Sequence, residues 1–251
     1  MKQTLLEIVQ DILNDLDSDE VSSINDTVEA MQVAQIVKSC YDELTSNRNW
    51  PNQQTLLQLE ASGSLDYPNY LKIPDSVKEI VSLQYNKASV SKPNIQYREL
   101  KYLYPDEFLL KINNRDSEAD NIEIITDFSA IDLLILNDKA PEYWTSFDDE
   151  YVVCDSYDKA VDDTLKKIKT QAVCYIEHTF TLDDHFTPTL PSEAFALLRE
   201  EAKSTAFITL KQMANQKAEM KASRQNRWLS RKAWKAHGGV RYPNYGRRGS
   251  R

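Results

Sequence analysis

Hydrophobic periodicity switches twice along this 251-residue chain, from helical to strand-like and back, an order that excludes an all-α and an all-β fold alike. Thr4 and Glu7 stand at the T-x-x-E spacing of a capping box, and Leu5, Ile8, Val9, Ile12 and Leu16 follow on one helical face. The polar run DSDEVSSIND closes that helix. A second helix is predicted with Asn25 or Asp26 as N-cap and Ala30, Val33, Val37, Cys40 and Leu44 as its buried stripe. It ends before NRNWPN, where Pro51 stops helical propagation.

From about Thr55 to Ile176 the runs shorten to TLLQLE, EIVSLQY, NIEIIT, IDLLIL, EYVVCD and IKTQAVCYI, separated by clusters of Pro, Asn, Asp and Ser. Ile168, Thr170, Ala172, Cys174 and Ile176 alternate as in a half-buried strand. One short helix, PDEFLLKIN, interrupts this β region, and Asp158–Lys169 reads equally as helix or strand. A third helix opens at Pro191, a residue favoured in a first turn, with Phe195, Leu198, Ala202, Ala206, Thr209 and Met213 as its stripe. No breaker interrupts it before Ala222, so it is expected to exceed 30 residues and to reach roughly 45 Å. The predicted class is α+β. Helices from both chain ends form an antiparallel α-helical bundle, a β-rich domain of sandwich or barrel type is inserted, and an extended C-terminal arm follows. The expected divisions are 1–50, 51–190, 191–222 and 223–251.

Charge is distributed as unevenly as periodicity. The chain carries 30 Lys or Arg and 39 Asp or Glu, a net of −9. Lys221–Arg251 holds ten of the basic residues and no acidic one, leaving 20 against 39 in positions 1–220, a net of −19 beside a tail of +10. Such asymmetry marks a terminus with a partner of its own. Cys40, Cys154 and Cys174 are odd in number and form no C-x-x-C pair, which argues against a disulfide framework and fits a reducing cytoplasm. The N-terminus has polar residues inside its apolar stretch and does not read as a signal peptide. The longest aliphatic run, Leu133 to Leu136, is far short of the roughly 18 residues that span a bilayer.

Catalytic and metal-binding patterns are approached but not completed. DLDSDEVSSIND places Asp15, Asp17 and Asp19 as in a calcium loop, but Glu20 stands where the loop needs Gly and Asp26 where it needs Glu, so a capping loop is the better reading. HTFTLDDH gathers His178, Asp183, Asp184 and His185 without a helical ligand pair; a metal-dependent hydrolase built there is the enzymatic alternative to a solvated loop. Gly63 is the only glycine before Gly238, so the body offers no glycine loop for a phosphate. The expectation is a non-enzymatic protein with no catalytic residue, cofactor or metal.

The basic terminus carries the most specific pattern. Arg224, Arg227, Arg231 and Lys235 recur at helical spacing, with Lys232 among them and Trp228 and Trp234 alongside. Beyond Gly238, VRYPNYGRRGSR contains Pro243 and is predicted to be extended, presenting Arg241, Tyr242, Tyr245, Arg247 and Arg248. Interleaved cations and aromatics suit nucleic acid, through phosphate attraction and base stacking. They equally suit an acidic protein groove, where Arg, Tyr and Trp serve as anchors. Two Trp and one Leu do not make the continuous apolar face a membrane surface requires.

Three stretches resemble a known family: LEIVQDILNDLDSDEVSSINDTVEAMQVAQIVKSCYDEL, LKIPDSVKEI and LPSEAFALLREEAKSTAFITLKQMANQKAEMKASRQNRW. They look like the head-to-tail adaptor proteins of short-tailed phages, also called tail tubular protein A. The resemblance covers nearly the whole chain and rests on overall pattern, because the family has no short signature. It implies a helical bundle with a β-rich domain, assembled as a dodecameric ring between the portal of the capsid and the tail nozzle. The protein would be assembled in the host cytoplasm and sit at the head–tail junction of the virion. DNA would pass through the ring without specific binding, and the C-terminal helix and arm would dock on the portal from about Lys211 onward. The alternative is a nucleic-acid-binding protein that uses its basic C-terminal tail.

Overall fold

The computed structural model describes residues 2–88 and 94–236, with side chains as far as Leu229. The fold is mixed α+β and divides into two compact units, Met1–Gln53 together with His178–Arg251, and Gln54–Glu177. The predicted capping box is present: the Thr4 hydroxyl accepts the Glu7 N–H at 3.3 Å and the Glu7 carboxylate accepts the Thr4 N–H at 2.9 Å. It opens α1 (Leu5–Asp15), which buries Leu5, Ile8, Val9, Ile12 and Leu13. Helix α2 (Val28–Ser46) begins later than expected, because Thr27 rather than Asn25 or Asp26 is the cap and accepts the Ala30 N–H at 3.1 Å. Asp26 instead accepts the N–H groups of Ser22 and Ser23 at 2.7 and 2.8 Å, which folds the connecting loop. Ala30, Val33, Val37 and Cys40 are buried as predicted, and Leu44 is half-buried.

The β-rich unit contains β1 (Gln54–Leu57), β2 (Glu60–Ala61), β3 (Tyr70–Lys72), β4 (Val77–Asn86), β5 (Tyr97–Tyr102), α3 (Pro105–Asn113), β6 (Ile122–Thr126), β7 (Asp132–Leu136), β8 (Tyr143–Thr145), β9 (Tyr151–Cys154) and β10 (Thr170–Ile176). Strands β6 and β7 pair with each other, and the other eight form one sheet in the order β1-β10-β4-β5-β8-β9-β3-β2. Among the described strands, β5 and β8 are the one pair that runs parallel. The two strands at the ends of that order, β1 and β2, are consecutive in the chain. Between them the Leu59 N–H reaches the Thr170 hydroxyl of β10 at 2.9 Å. The sheet therefore curls around a core that includes Leu59, Leu71, Leu83, Leu100, Ile135 and Cys174.

Two expectations for this unit fail for local reasons. Ile168 lies in a 3-10 turn (Lys167–Lys169), before the strand begins at Thr170, and is 74% exposed; Thr170, Ala172 and Cys174 point inward as predicted. The ambiguous segment Asp158–Lys169 contains no long element. It runs as turns tied by the Lys159 N–H to the Asn137 carbonyl and the Leu165 N–H to the Pro68 carbonyl, at 2.9 and 2.8 Å. A buried ion pair joins the second half of the unit: Arg115 meets the Asp155 carboxylate at 3.0 Å and donates to the Leu134 carbonyl at 2.7 Å. Burial draws the Arg115 pKa down, and the Asp155 charge opposes that shift.

The segment after β10 belongs with the helices rather than with the expected 51–190 division. Phe180 packs 5.1 Å from the Tyr41 ring, the Phe186 carbonyl accepts the Leu5 N–H at 2.7 Å, and Asp184 accepts the Ile24 N–H at 2.8 Å. Helix α4 (Phe195–Lys211) starts after a turn in which the Pro191 carbonyl accepts the Ala194 N–H at 2.8 Å, so Pro191 lies ahead of the helix. Its Phe195, Leu198, Ala202 and Ala206 are buried, whereas Thr209 is exposed and Met213 is 65% exposed.

The helix predicted to run unbroken past Ala222 stops at Gln212, whose backbone is left-handed at φ 53° and ψ 31°. After Asn215 a separate helix, α5 (Gln216–Ala236), begins. Lys221 meets Glu200 at 3.2 Å and Gln225 donates to the Glu193 carbonyl at 3.1 Å, so α5 returns antiparallel along α4. A left-handed residue other than glycine costs about 1–2 kcal/mol. Burying Leu229, with Ala218 and Ala222, offsets that strain, since one buried Leu side chain alone contributes about 2 kcal/mol. Buried residues of α1, α2, α4 and α5 share one core.

The elbow is testable. Gln212→Gly relieves the left-handed strain and is expected to raise Tm by roughly 1–3 °C, the gain being reduced by the greater chain entropy of glycine. Gln212→Val is expected to lower Tm by several degrees, because a β-branched side chain tolerates positive φ poorly. Thermal unfolding followed by circular dichroism checks both, and equal Tm values for the two variants would contradict the elbow.

Candidate functional site

Helix α5 forms because QKAEMKASRQNRWLSRKAWKA is rich in Ala, Lys and Arg and contains neither Gly nor Pro. Its start is set by Asn215, whose side-chain oxygen accepts the Ala218 N–H at 3.1 Å. That Asn was the one local signal of a new helix, and it sits among residues that would all propagate the old one.

The helix has two faces. Ala218, Ala222 and Leu229 are buried at 2%, 1% and 4% exposure, and Gln225 between them is half-buried. With this stripe turned inward, Lys217, Met220, Arg224, Arg227 and Trp228 are exposed, Met220 at 61% and Trp228 at 48%. Of the predicted docking residues, Arg224, Arg227 and Trp228 thus share the solvent side of one helix. Arg231, Lys232, Trp234 and Lys235 lie on the same helix by their backbone, and their side chains are outside the described residues. Arg241, Tyr242, Tyr245, Arg247 and Arg248 are likewise outside the described residues.

A second fastening ties α5 to the segment that follows α2. Arg48 stacks 5.1 Å over the Trp50 ring and donates to the Asn226 side chain at 3.0 Å, while the Trp50 indole N–H donates to the Leu44 carbonyl at 3.0 Å. Next to this cluster lies a cavity of about 140 Å³ lined by Cys40, Glu43, Leu197, Glu201 and Asn226 among others. Burial, followed by the charges of Glu43 and Glu219, holds the Glu201 carboxyl above the usual carboxylate range. Burial also pushes the Cys40 thiol up to about 11, so it is a poor nucleophile.

Of the other sequence candidates, Asp15, Asp183 and Asp184 are engaged in backbone contacts and surface pairs, whereas the His178 Nε2 is buried with no hydrogen-bond partner among the described residues. Asp183 accepts the His185 N–H at 2.8 Å and Asp184 holds the loop before α2, as described above. Asp15 pairs with Lys203 of α4. Among the described residues, no group of three or more His, Cys, Asp or Glu side chains is placed to hold a metal ion. No described helix is long and apolar enough to cross a membrane. No protein-family model matches the chain, and no curated protein matches it.

The Glu201 environment makes a pH-dependent prediction. A carboxyl whose folded pKa is raised destabilises the fold where it must ionise, and this penalty disappears below its unfolded pKa near 4.5. Glu201→Gln is therefore expected to raise Tm at neutral pH, with the gain shrinking as pH falls and vanishing below about 4. A gain that is independent of pH would show that charge is not its cause.

Proposed function

We propose that this chain is a structural virion protein, the head-to-tail adaptor of a short-tailed phage. In this reading the helices of the two chain ends form the antiparallel bundle of a ring subunit, and the curled sheet is its inserted barrel-like domain. The dodecameric ring joins the portal to the tail nozzle and lines the DNA ejection channel. The C-terminal arm docks on the portal through Arg224, Arg227, Trp228, Arg231, Lys232, Trp234 and Lys235, followed by Arg241, Tyr242, Tyr245, Arg247 and Arg248.

The observation that carries the reading is the exposed Arg–Trp face of a helix whose opposite face is anchored in an otherwise acidic protein. Arg and Trp are the residues most enriched at interface hot spots. The net charge of −19 over positions 1–220 supports a wall past which DNA moves without adhering. The same Arg–Trp interleaving favours the second reading, a nucleic-acid-binding protein whose tail neutralises phosphates and stacks on bases.

Truncation after Leu229, which spares the buried stripe of α5, tests the first reading when combined with Arg224→Glu and Arg227→Glu. The altered protein is expected to keep its helical circular dichroism and to lose the ability to join portal-containing heads. Undiminished joining would overturn the docking role. For the second reading, duplex DNA binding should weaken steeply with salt and disappear with the same changes.

A further inference from the structure

We infer that the cleft between β4 and β5 takes an added strand, and that its occupant is segment 240–242 of a second copy of this chain. The inference goes beyond the adaptor reading and does not depend on it.

A break in strand pairing makes the cleft. Strands β4 and β5 pair from Asn86 and Tyr97 as far as Leu83 and Leu100, and no further. Beyond that point β4 stays with β10, while Lys101 and Tyr102 of β5 run beside β8. The pairing with β10 supplies a reason. Ser82 faces Val173 and Ile80 faces Cys174, so Val81 is an extra residue of the kind that bends a strand. Where β4 and β5 diverge lies a cleft of about 700 Å³, lined by Glu79, Val81, Glu99, Lys101, Tyr102 and Trp144 among others. Binding clefts span roughly 300–1,000 Å³.

The cleft offers backbone as well as side chains. Lys101 and Leu103 donate their N–H groups to the Glu142 and Trp144 carbonyls on the β8 side, at 3.0 and 2.9 Å. Successive strand residues turn their backbone groups to alternate edges, so those of Tyr102 face β4, where no described strand pairs with them. An edge of this kind is a template for an extended segment. Val81 is 49% exposed and Tyr102 46%, and the Tyr102 ring stands 4.8 Å from that of buried Trp144. One face of an added strand would meet this apolar surface. The other would pass the exposed Glu79, Glu99 and Lys101.

The segment 240–242, Val-Arg-Tyr, has the matching alternation, with Val240 and Tyr242 on one face and Arg241 on the other. Pro243 has no N–H and ends the pairing there. The segment belongs to residues 237–251, which lie beyond the described ones and can span up to about 50 Å when extended. Those residues hold four Arg and no acidic side chain, against a net of −19 over positions 1–220, so the tail of one copy is drawn to the body of another. The contact is heterologous, arm into cleft.

Sedimentation velocity of the full-length protein over a range of concentrations tests this. Wild-type protein is expected to self-associate. Tyr242→Asp in the arm and Val81→Arg in the cleft should each weaken association about tenfold or more. Mixing these two variants should restore a heterodimer, because one keeps an intact cleft and the other an intact arm. Should Val81→Arg lower Tm, Glu99→Arg alters an exposed side chain of the same cleft and takes its place. Wild-type protein that stays monomeric up to ~100 μM, where contacts of micromolar Kd form, would overturn the inference. So would association that survives both substitutions, or variants that associate no better mixed than alone.

Discussion

Packing the small-residue face of α5 against α4 decides which way every described basic side chain of the C-terminal helix points. Ala218 and Ala222 allow close approach, Leu229 adds apolar burial, and the Lys221–Glu200 contact sets the register. Glu200 is nearly buried, so Lys221 does more there than a surface ion pair would do. Once that face is inward, Arg224, Arg227 and Met220 lie on the exposed side of the helix. The left-handed Gln212 is the strain that this arrangement imposes on the chain.

The β-rich unit obeys a different constraint. Its sheet brings strands from the beginning and end of the segment together, with β1 on β10 and β10 on β4. Because β1 and β2 occupy opposite ends of the strand order but adjoin in sequence, Leu59 lies where the two ends of the curl approach, tied to Thr170 of β10. The sheet curls without closing, because β1 and β2 remain its two edge strands, and both are short, at four and two residues. Tyr70 and Asp127 add a polar tie at 2.5 Å, and burial together with that hydrogen bond raises the Tyr70 pKa.

Local signals were legible where they act locally. The Thr4–Glu7 box and the Leu5, Ile8, Val9 and Ile12 face were readable because cap and stripe lie within one helix. The short helix α3 was readable over Pro105–Asn113 because Pro stands at its start, Asp106 and Glu107 in its first turn and Lys111 in its last. The break at Gln212 was not, because Gln, Met and Ala all propagate a helix and only tertiary burial of Ala222 and Leu229 favours the reversal. The strands β2, β3 and β8 are too short to show periodicity, and β5, YRELKY, has charged residues at three of its positions. At the candidate site, the Arg224, Arg227 and Trp228 cluster was visible as composition. Lys217 and Met220 lie on the same side only because Ala218, Ala222 and Leu229 are buried, which no local pattern in the sequence shows.

We propose above a ring subunit that seats on a portal by its C-terminal helix. The most direct measurement is electron microscopy in negative stain of full-length protein mixed with purified portal rings. The account predicts rings of the protein stacked coaxially on one end of the portal. Bare portal rings, with the protein separate from them at concentrations where it is folded, would contradict it.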